Sequence, residues 1–241
     1  MKLFEHENNM YMFIHIPKSA GTSIRRVLKD NFTSYVDLTQ PHKNNTLEYD
    51  KKIGDHAPIF YIKPKLKNHE LNFIAVVRNP WARMFSVFQH TMMRRKLEGE
   101  SSSLLNNFNL DTRSKYTKSF ETSCLEHIRK VGSDNIQEIF EFWLFFIGRD
   151  KEMIPNGNPN WNILPQDWWF LEDGILSSKV HLYQFEEKSR LEEFLGIDLK
   201  HRNASRLSSN SFYKKFYNRR TEEYVYNLDR WVVEKFNYTF N

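Results

Sequence analysis

One cysteine and eight glycines among 241 residues set the first limits on what this chain can be. With Cys124 alone no disulfide forms within the sequence, and a reducing compartment is the simpler expectation. No long Lys/Arg tract accompanies the net charge of +5, so charge alone makes no case for a nucleic-acid partner. Apolar runs are short: Met10–Ile16 contains His15, and Ile139–Ile147 is interrupted by Glu141. Neither approaches the roughly 20 residues that cross a bilayer. Met1–Asn9 is mostly polar and unlike a signal peptide. The expectation is a cytoplasmic chain with no transmembrane segment, its oligomeric state left open.

What is present is aromatic. With 20 Phe, 11 Tyr and 6 Trp, hydrophobic residues reach 40%, enough for a packed core and too many for wholesale disorder. The length suits one α/β domain over residues 1–241. Tyr11–Ile16 reads as a buried strand ended by Pro17, followed by a helix over Thr22–Asp30 with Ile24, Val27 and Leu28 on one face. Leu71–Val77 is a second strand. Its following helix has Asn79 at the N-cap, Pro80 at the first position, and Trp81, Met84, Phe85 and Phe88 as its inner stripe. Val180–Phe185 is a third strand, leading to a helix over Glu187–Leu195 that Gly196 closes. Ser34–Leu38 is a weaker strand, and Asp134–Ile147 and Thr221–Phe236 are helical, the former packing through Phe140, Trp143, Leu144 and Ile147. Strands alternating with helices predict a central parallel sheet flanked by helices.

Two strand-to-helix turns carry chemistry. In Pro17-Lys18-Ser19-Ala20-Gly21-Thr22-Ser23, unpaired N–H groups and the helix dipole favour an anion, Gly21 permits close approach, and Lys18 adds positive charge. A plain connector is the alternative for this segment taken alone. The Walker A pattern sets Lys after its last Gly, whereas Lys18 precedes Gly21, and no carboxylate stands out as a magnesium ligand, so no metal is expected. Val77-Arg78-Asn79-Pro80-Trp81 repeats the plan, with Arg78 offering a planar fork to phosphate and Ser86 a hydroxyl. Two anion sites at one sheet edge suggest a ligand with phosphates in two places.

Residues 15–28 (HIPKSAGTSIRRVL) and 73–88 (FIAVVRNPWARMFSVF) together resemble the phosphosulfate and 3′-phosphate motifs of sulfotransferases that use 3′-phosphoadenosine 5′-phosphosulfate (PAPS). The carbohydrate-type, family 2 branch is the more similar one. Leu164-Pro165-Gln166, Leu182–Glu186, His201–Ser205 and the final aromatic helix also have counterparts there, whereas residues 89–160 align poorly. The resemblance implies a P-loop-like sulfotransferase fold. It implies that the loop from Pro17 to Ser23 (Lys18, Ser19, Ala20, Gly21 and Thr22 included) binds the 5′-phosphosulfate, and that Arg78 and Ser86 bind the 3′-phosphate. Two positions depart: Ser19-Ala20 stands where the family more often has Thr-Gly, and Gln184 where many relatives have Arg.

Sulfuryl transfer to a hydroxyl needs positioned partners, a cation at the departing oxygen and a general base. Lys18 suits the second task. Of nine histidines, His56 is assigned the third, because it lies between the first two motifs where family 2 relatives place a similar histidine. A solvated loop histidine is the alternative. His15 on the first strand reads as a core residue, and His42 ranks below both. Asn203 and Ser205, with Arg206 nearby, either approach the cofactor or cap the following helix. Trp168 and Trp169 either flank an acceptor or belong to the core, and Gln166 is expected as a polar acceptor contact beside them. The expected reaction moves sulfuryl from PAPS to a hydroxyl acceptor, a glycan or small molecule, and releases adenosine 3′,5′-bisphosphate. The rivals are a nucleotide kinase-like phosphotransferase and a non-catalytic nucleotide- or sulfate-binding module.

Overall fold

The computed structural model describes residues 2–37, 56–65, 71–92, 126–127, 130–132, 135–149, 163–199 and 212–240. Strand β1 (Lys2–His6) pairs antiparallel with β2 (Asn9–Ile14), from Lys2 opposite Phe13 to His6 opposite Asn9. Glu7 and Asn8 between them have φ of 47° and 61°. Positive φ at both residues is what a two-residue turn needs to follow the right-handed twist of its strands. β3 (Val36–Asp37) flanks β1 on the outside. On the other side β2 pairs in parallel with β4 (Asn72–Val77), and β4 in parallel with β7 (Val180–Gln184). A small hairpin, β5 (Leu171–Glu172) with β6 (Ile175–Leu176), stands apart from this sheet.

The sheet, in the order β3-β1-β2-β4-β7, is therefore mostly but not wholly parallel. The antiparallel β1 is the departure from expectation. Its polar ends hide a buried Leu3 and Phe4, which point to opposite faces and supply hydrophobic surface to each. Tyr11, Phe13, Ile74 and Val76 share one face with Phe4. They pack under Ile24 and Leu28 of α1 (Gly21–Asn31) and under Leu191 and Leu195 of α5 (Lys188–Leu195). On the opposite face Leu3, Met12, Ile14, Ala75 and Val77 are buried as well. Burial on both faces explains why the parallel strands read as continuous apolar runs.

Two compact units are distinguished by internal contacts. The first comprises Met1–Asn79, Leu164–Ser205 and Asp229–Thr239, and holds the sheet. It also holds α2 (Ile59–Ile62), α7 (Arg230–Phe236) and a 3-10 turn over Gln166–Trp169. The second comprises Pro80–Ile163, Arg206–Leu228 and Phe240–Asn241. It contains α3 (Pro80–Met92), α4 (Ile136–Arg149) and α6 (Arg219–Leu228), packed through aromatic rings. Phe85 lies 4.5 Å from Phe216, and Phe88 lies 5.1 Å from Trp143, between ring centres. The stripe Trp81, Met84, Phe85 and Phe88 is buried as its spacing predicts. The expected helix Thr221–Phe236 divides in two at Asp229, a wholly buried residue whose carboxylate accepts the Gln166 N–H at 2.6 Å. A tertiary hydrogen bond overrides the continuous helical periodicity there.

Among the described residues no helix is long and apolar enough to cross a membrane. Ile74 is 1% exposed at the centre of the sheet. Ile74→Ala is expected to lower unfolding free energy by about 2–5 kcal/mol. Ile175→Ala, at a position 70% exposed, is expected to change it by less than about 0.5 kcal/mol. Denaturant titration checks both, and equal losses would contradict this placement of the core.

Candidate functional site

The loop after β2 turns sharply. Lys18 and Ala20 both adopt left-handed backbone, with φ of 65° and 61°. Neither is glycine, so each carries a strain of about 1–2 kcal/mol. The turn delivers the Ala20 carbonyl to the start of α1, where it accepts the N–H groups of Ser23 and Ile24 at 3.0 and 3.2 Å. No side chain caps the helix. The N–H groups of Gly21 and Thr22 are thus the first-turn donors that point out of the helix end, where its dipole favours negative charge. Lys18 is half-buried beside them and Thr22 is exposed.

Gly21 is required by its neighbour. A Cβ at this position would sit 1.8 Å from Cδ2 and 2.2 Å from Nε2 of His15. The His15 ring, 6% exposed, therefore lies against the first turn of α1, as the core reading of this histidine expects. Its other neighbour is His56, with ring centres 4.2 Å apart. His56 is half-buried at the turn before α2, and its Nδ1 lies 2.9 Å from the His15 carbonyl oxygen. A carbonyl only accepts, so Nδ1 carries the proton and Nε2 is the basic nitrogen of the neutral ring. The structure thus brings His56, His15 and Gly21 together.

The second turn stands at the end of β4. Arg78 donates from Nη1 to the Lys18 carbonyl at 3.2 Å, and its guanidinium lies 5.0 Å above the Phe185 ring. Asn79 donates its N–H to Glu186 at 2.9 Å and its side-chain amide to the Thr239 carbonyl at 3.2 Å. The Tyr238 hydroxyl donates to the other Glu186 oxygen at 2.7 Å. Burial, and then the Glu186 carboxylate, push this phenol far above its ordinary pKa, so it remains a donor.

Gln166, expected as an acceptor contact, has its hydrogen-bonding groups turned to the protein itself. It is wholly buried, and its amide is bonded to the Arg78 backbone, Asp229 and Ser19. Trp169 is buried too, 6.1 Å from His56 between ring centres. Trp168 is half-buried and meets Trp169 at 5.4 Å and Phe60 at 5.0 Å, both edge to face. Beside it Phe60, Lys63, Pro64, Glu172 and Asp173 line a shallow cavity of about 440 Å³. Phe60 and Tyr61 are 44% and 47% exposed, and Lys63 pairs with Glu172 at 2.8 Å. Ser86 lies half-buried on α3, in the second unit. Asn203, Ser205, Arg206 and His42 lie outside the described residues.

The model described as the sulfotransferase family matches residues 2–236. The chain belongs to that family. The match runs through residues 89–160, where the motifs alone show little similarity. No curated protein and no solved structure gives a match. The mixed α/β architecture, a central mostly parallel sheet with helices, agrees with a sulfotransferase fold.

Nothing in the local sequence marks Glu186 or Asp229 for these bonds. Each bonds backbone from a distant part of the sequence, and such pairings leave no periodic or spacing signal.

Two substitutions test the loop. Gly21→Ala is expected to lower stability by about 1–3 kcal/mol, because the His15 ring must move. Ala20→Gly is expected to raise it by up to about 1 kcal/mol, as relief of left-handed strain exceeds the added freedom of the unfolded chain. Chemical denaturation measures both, and a Gly21→Ala variant as stable as the parent would contradict the contact.

Proposed function

We propose that this member of the sulfotransferase family transfers the sulfuryl group of PAPS to a hydroxyl, a carbohydrate hydroxyl foremost. One observation carries the reading. The parallel pairing of β2 with β4 sets the Lys18 loop and the Arg78 turn side by side, and Arg78 reaches the Lys18 carbonyl. An anion-binding helix start and a guanidinium are then neighbours, which suits a donor with a phosphosulfate at its 5′ position and a phosphate at its 3′ position. The loop from Pro17 to Ser23 takes the first group and Arg78 the second. Asn203 and Ser205 are assigned to the donor by resemblance alone.

The acceptor oxygen attacks sulfur while the bond from sulfur to the bridging phosphate oxygen breaks. Lys18 and the Gly21 and Thr22 N–H groups offset the charge gathering on the departing phosphate. His56 takes the hydroxyl proton at Nε2, the nitrogen that its bond to the His15 carbonyl leaves basic. Trp168 and the exposed Phe60 offer flat apolar faces to a sugar, with Lys63 and Glu172 beside them as polar contacts. A kinase-like phosphotransferase fits less well, because Lys18 precedes the turn where a Walker A lysine follows it.

Arg78→Ala is expected to weaken binding of adenosine 3′,5′-bisphosphate about 10- to 100-fold. Binding of adenosine 5′-phosphate should change less than about threefold. Titration calorimetry on both ligands decides, and equal losses would sink the 3′-phosphate assignment. His56→Ala is expected to slow sulfate transfer about 100- to 10,000-fold with bisphosphate affinity nearly intact. A fully active variant would remove His56 as base and favour another proton acceptor.

A further inference from the structure

Gln166 bonds to both anion-facing turns. Its Oε1 accepts the Arg78 N–H at 2.8 Å and the Ser19 hydroxyl at 3.4 Å. Its Nε2 donates to the Arg78 carbonyl at 2.9 Å and to the Asp229 carboxylate at 3.3 Å. A primary amide has two donors and two lone pairs, so these four bonds exhaust it. Asp229 in turn holds the Gln166 backbone by accepting its N–H at 2.6 Å. Gln166 and Asp229 are 0% exposed and Ser19 is 1% exposed.

The geometry points to Gln166 as a positioning residue for donor binding. By holding the Arg78 backbone on both sides of its Cα, through N–H and carbonyl, Gln166 fixes the direction in which the guanidinium leaves the strand. Its bond to Ser19 ties that direction to the Lys18–Ser19 loop. The inference rests on the two-phosphate donor reading, and adds that one buried amide sets the register between the two phosphate sites.

Core filling alone does not explain the residue. An apolar side chain of similar volume would occupy the space without desolvating an amide and a carboxylate. What only the amide supplies is a two-point grip on the backbone of one residue, through the two peptide groups that flank the Arg78 Cα. Arg78 lies just beyond Val77, the last residue of β4, so the side chain continues the hydrogen-bonding that a neighbouring strand would have given. The grip acts where small displacements matter, because an error of about 1 Å at a positioned group costs up to about 100-fold.

The test uses the full chain and two variants. Gln166→Met keeps the volume and removes the amide; Gln166→Asn keeps the amide but is one methylene too short to grip Arg78 and reach Asp229 and Ser19 together. Affinities for adenosine 3′,5′-bisphosphate and adenosine 5′-phosphate are measured by calorimetry, and melting temperature is recorded alongside. Both variants are expected to bind the bisphosphate about tenfold or more weakly, with less than about threefold change for the monophosphate. Loss of melting temperature with the ratio of the two affinities unchanged would make Gln166 merely structural and overturn the inference. If Gln166→Met fails to fold, the affinity ratio of Gln166→Asn gives the same decision. A parent protein that binds both nucleotides equally would instead overturn the donor reading, and this inference with it.

Discussion

Parallel pairing of β2 with β4 is the constraint on which the site depends. Register from Tyr11 opposite Asn72 to Ile14 opposite Ala75 brings the carboxyl ends of the two strands to the same edge, about 4.8 Å apart. Ligands of open α/β sheets gather at that edge, because helices begin there and turn their N–H groups towards it. Everything local to the site follows from this adjacency. The Lys18 loop leaves β2, the Arg78 turn leaves β4, and Glu186 arrives from just beyond β7, the next strand over.

Backbone strain and close contact shape what the adjacency provides. Two left-handed residues, Lys18 and Ala20, bend the loop so that α1 starts at Gly21 with its first N–H groups outward. The missing Cβ at Gly21 lets the His15 ring lie against the helix start, and His15 carries His56 with it through a ring contact and a hydrogen bond. The small residue at position 21 thereby makes room for a ring against which a histidine from another segment packs. Alanine rather than glycine at position 20 adds left-handed strain to this arrangement.

Legibility in the sequence divided along physical lines. The strand-turn-helix units around Lys18 and Arg78 were readable because apolar runs, Pro17, Pro80 and Gly21 mark them within a few residues of each other. His56 was reached only through resemblance, as a turn histidine bears no local signature of its neighbours. β1 escaped notice because its inward residues, Leu3 and Phe4, sit in a segment that is polar on average, and its turn uses Glu7 where asparagine-glycine pairs are the familiar signal. Gln166 is marked in the sequence only by its place beside Trp168 and Trp169, which says nothing of its bonds. Its partners Ser19, Arg78 and Asp229 lie far from it in sequence, and only the fold brings them into hydrogen-bond range. The split of the last helix at Asp229 has the same origin.

Membership of the sulfotransferase family leaves the donor and acceptor as the substance of the account. The direct measurement is transfer of labelled sulfate from PAPS to a panel of neutral glycans and small alcohols, with divalent metal chelated. The account predicts labelled product with chelator present and formation of adenosine 3′,5′-bisphosphate in equal amount. Absence of transfer to every acceptor, or activity that appears only with magnesium and a nucleoside triphosphate, would contradict it.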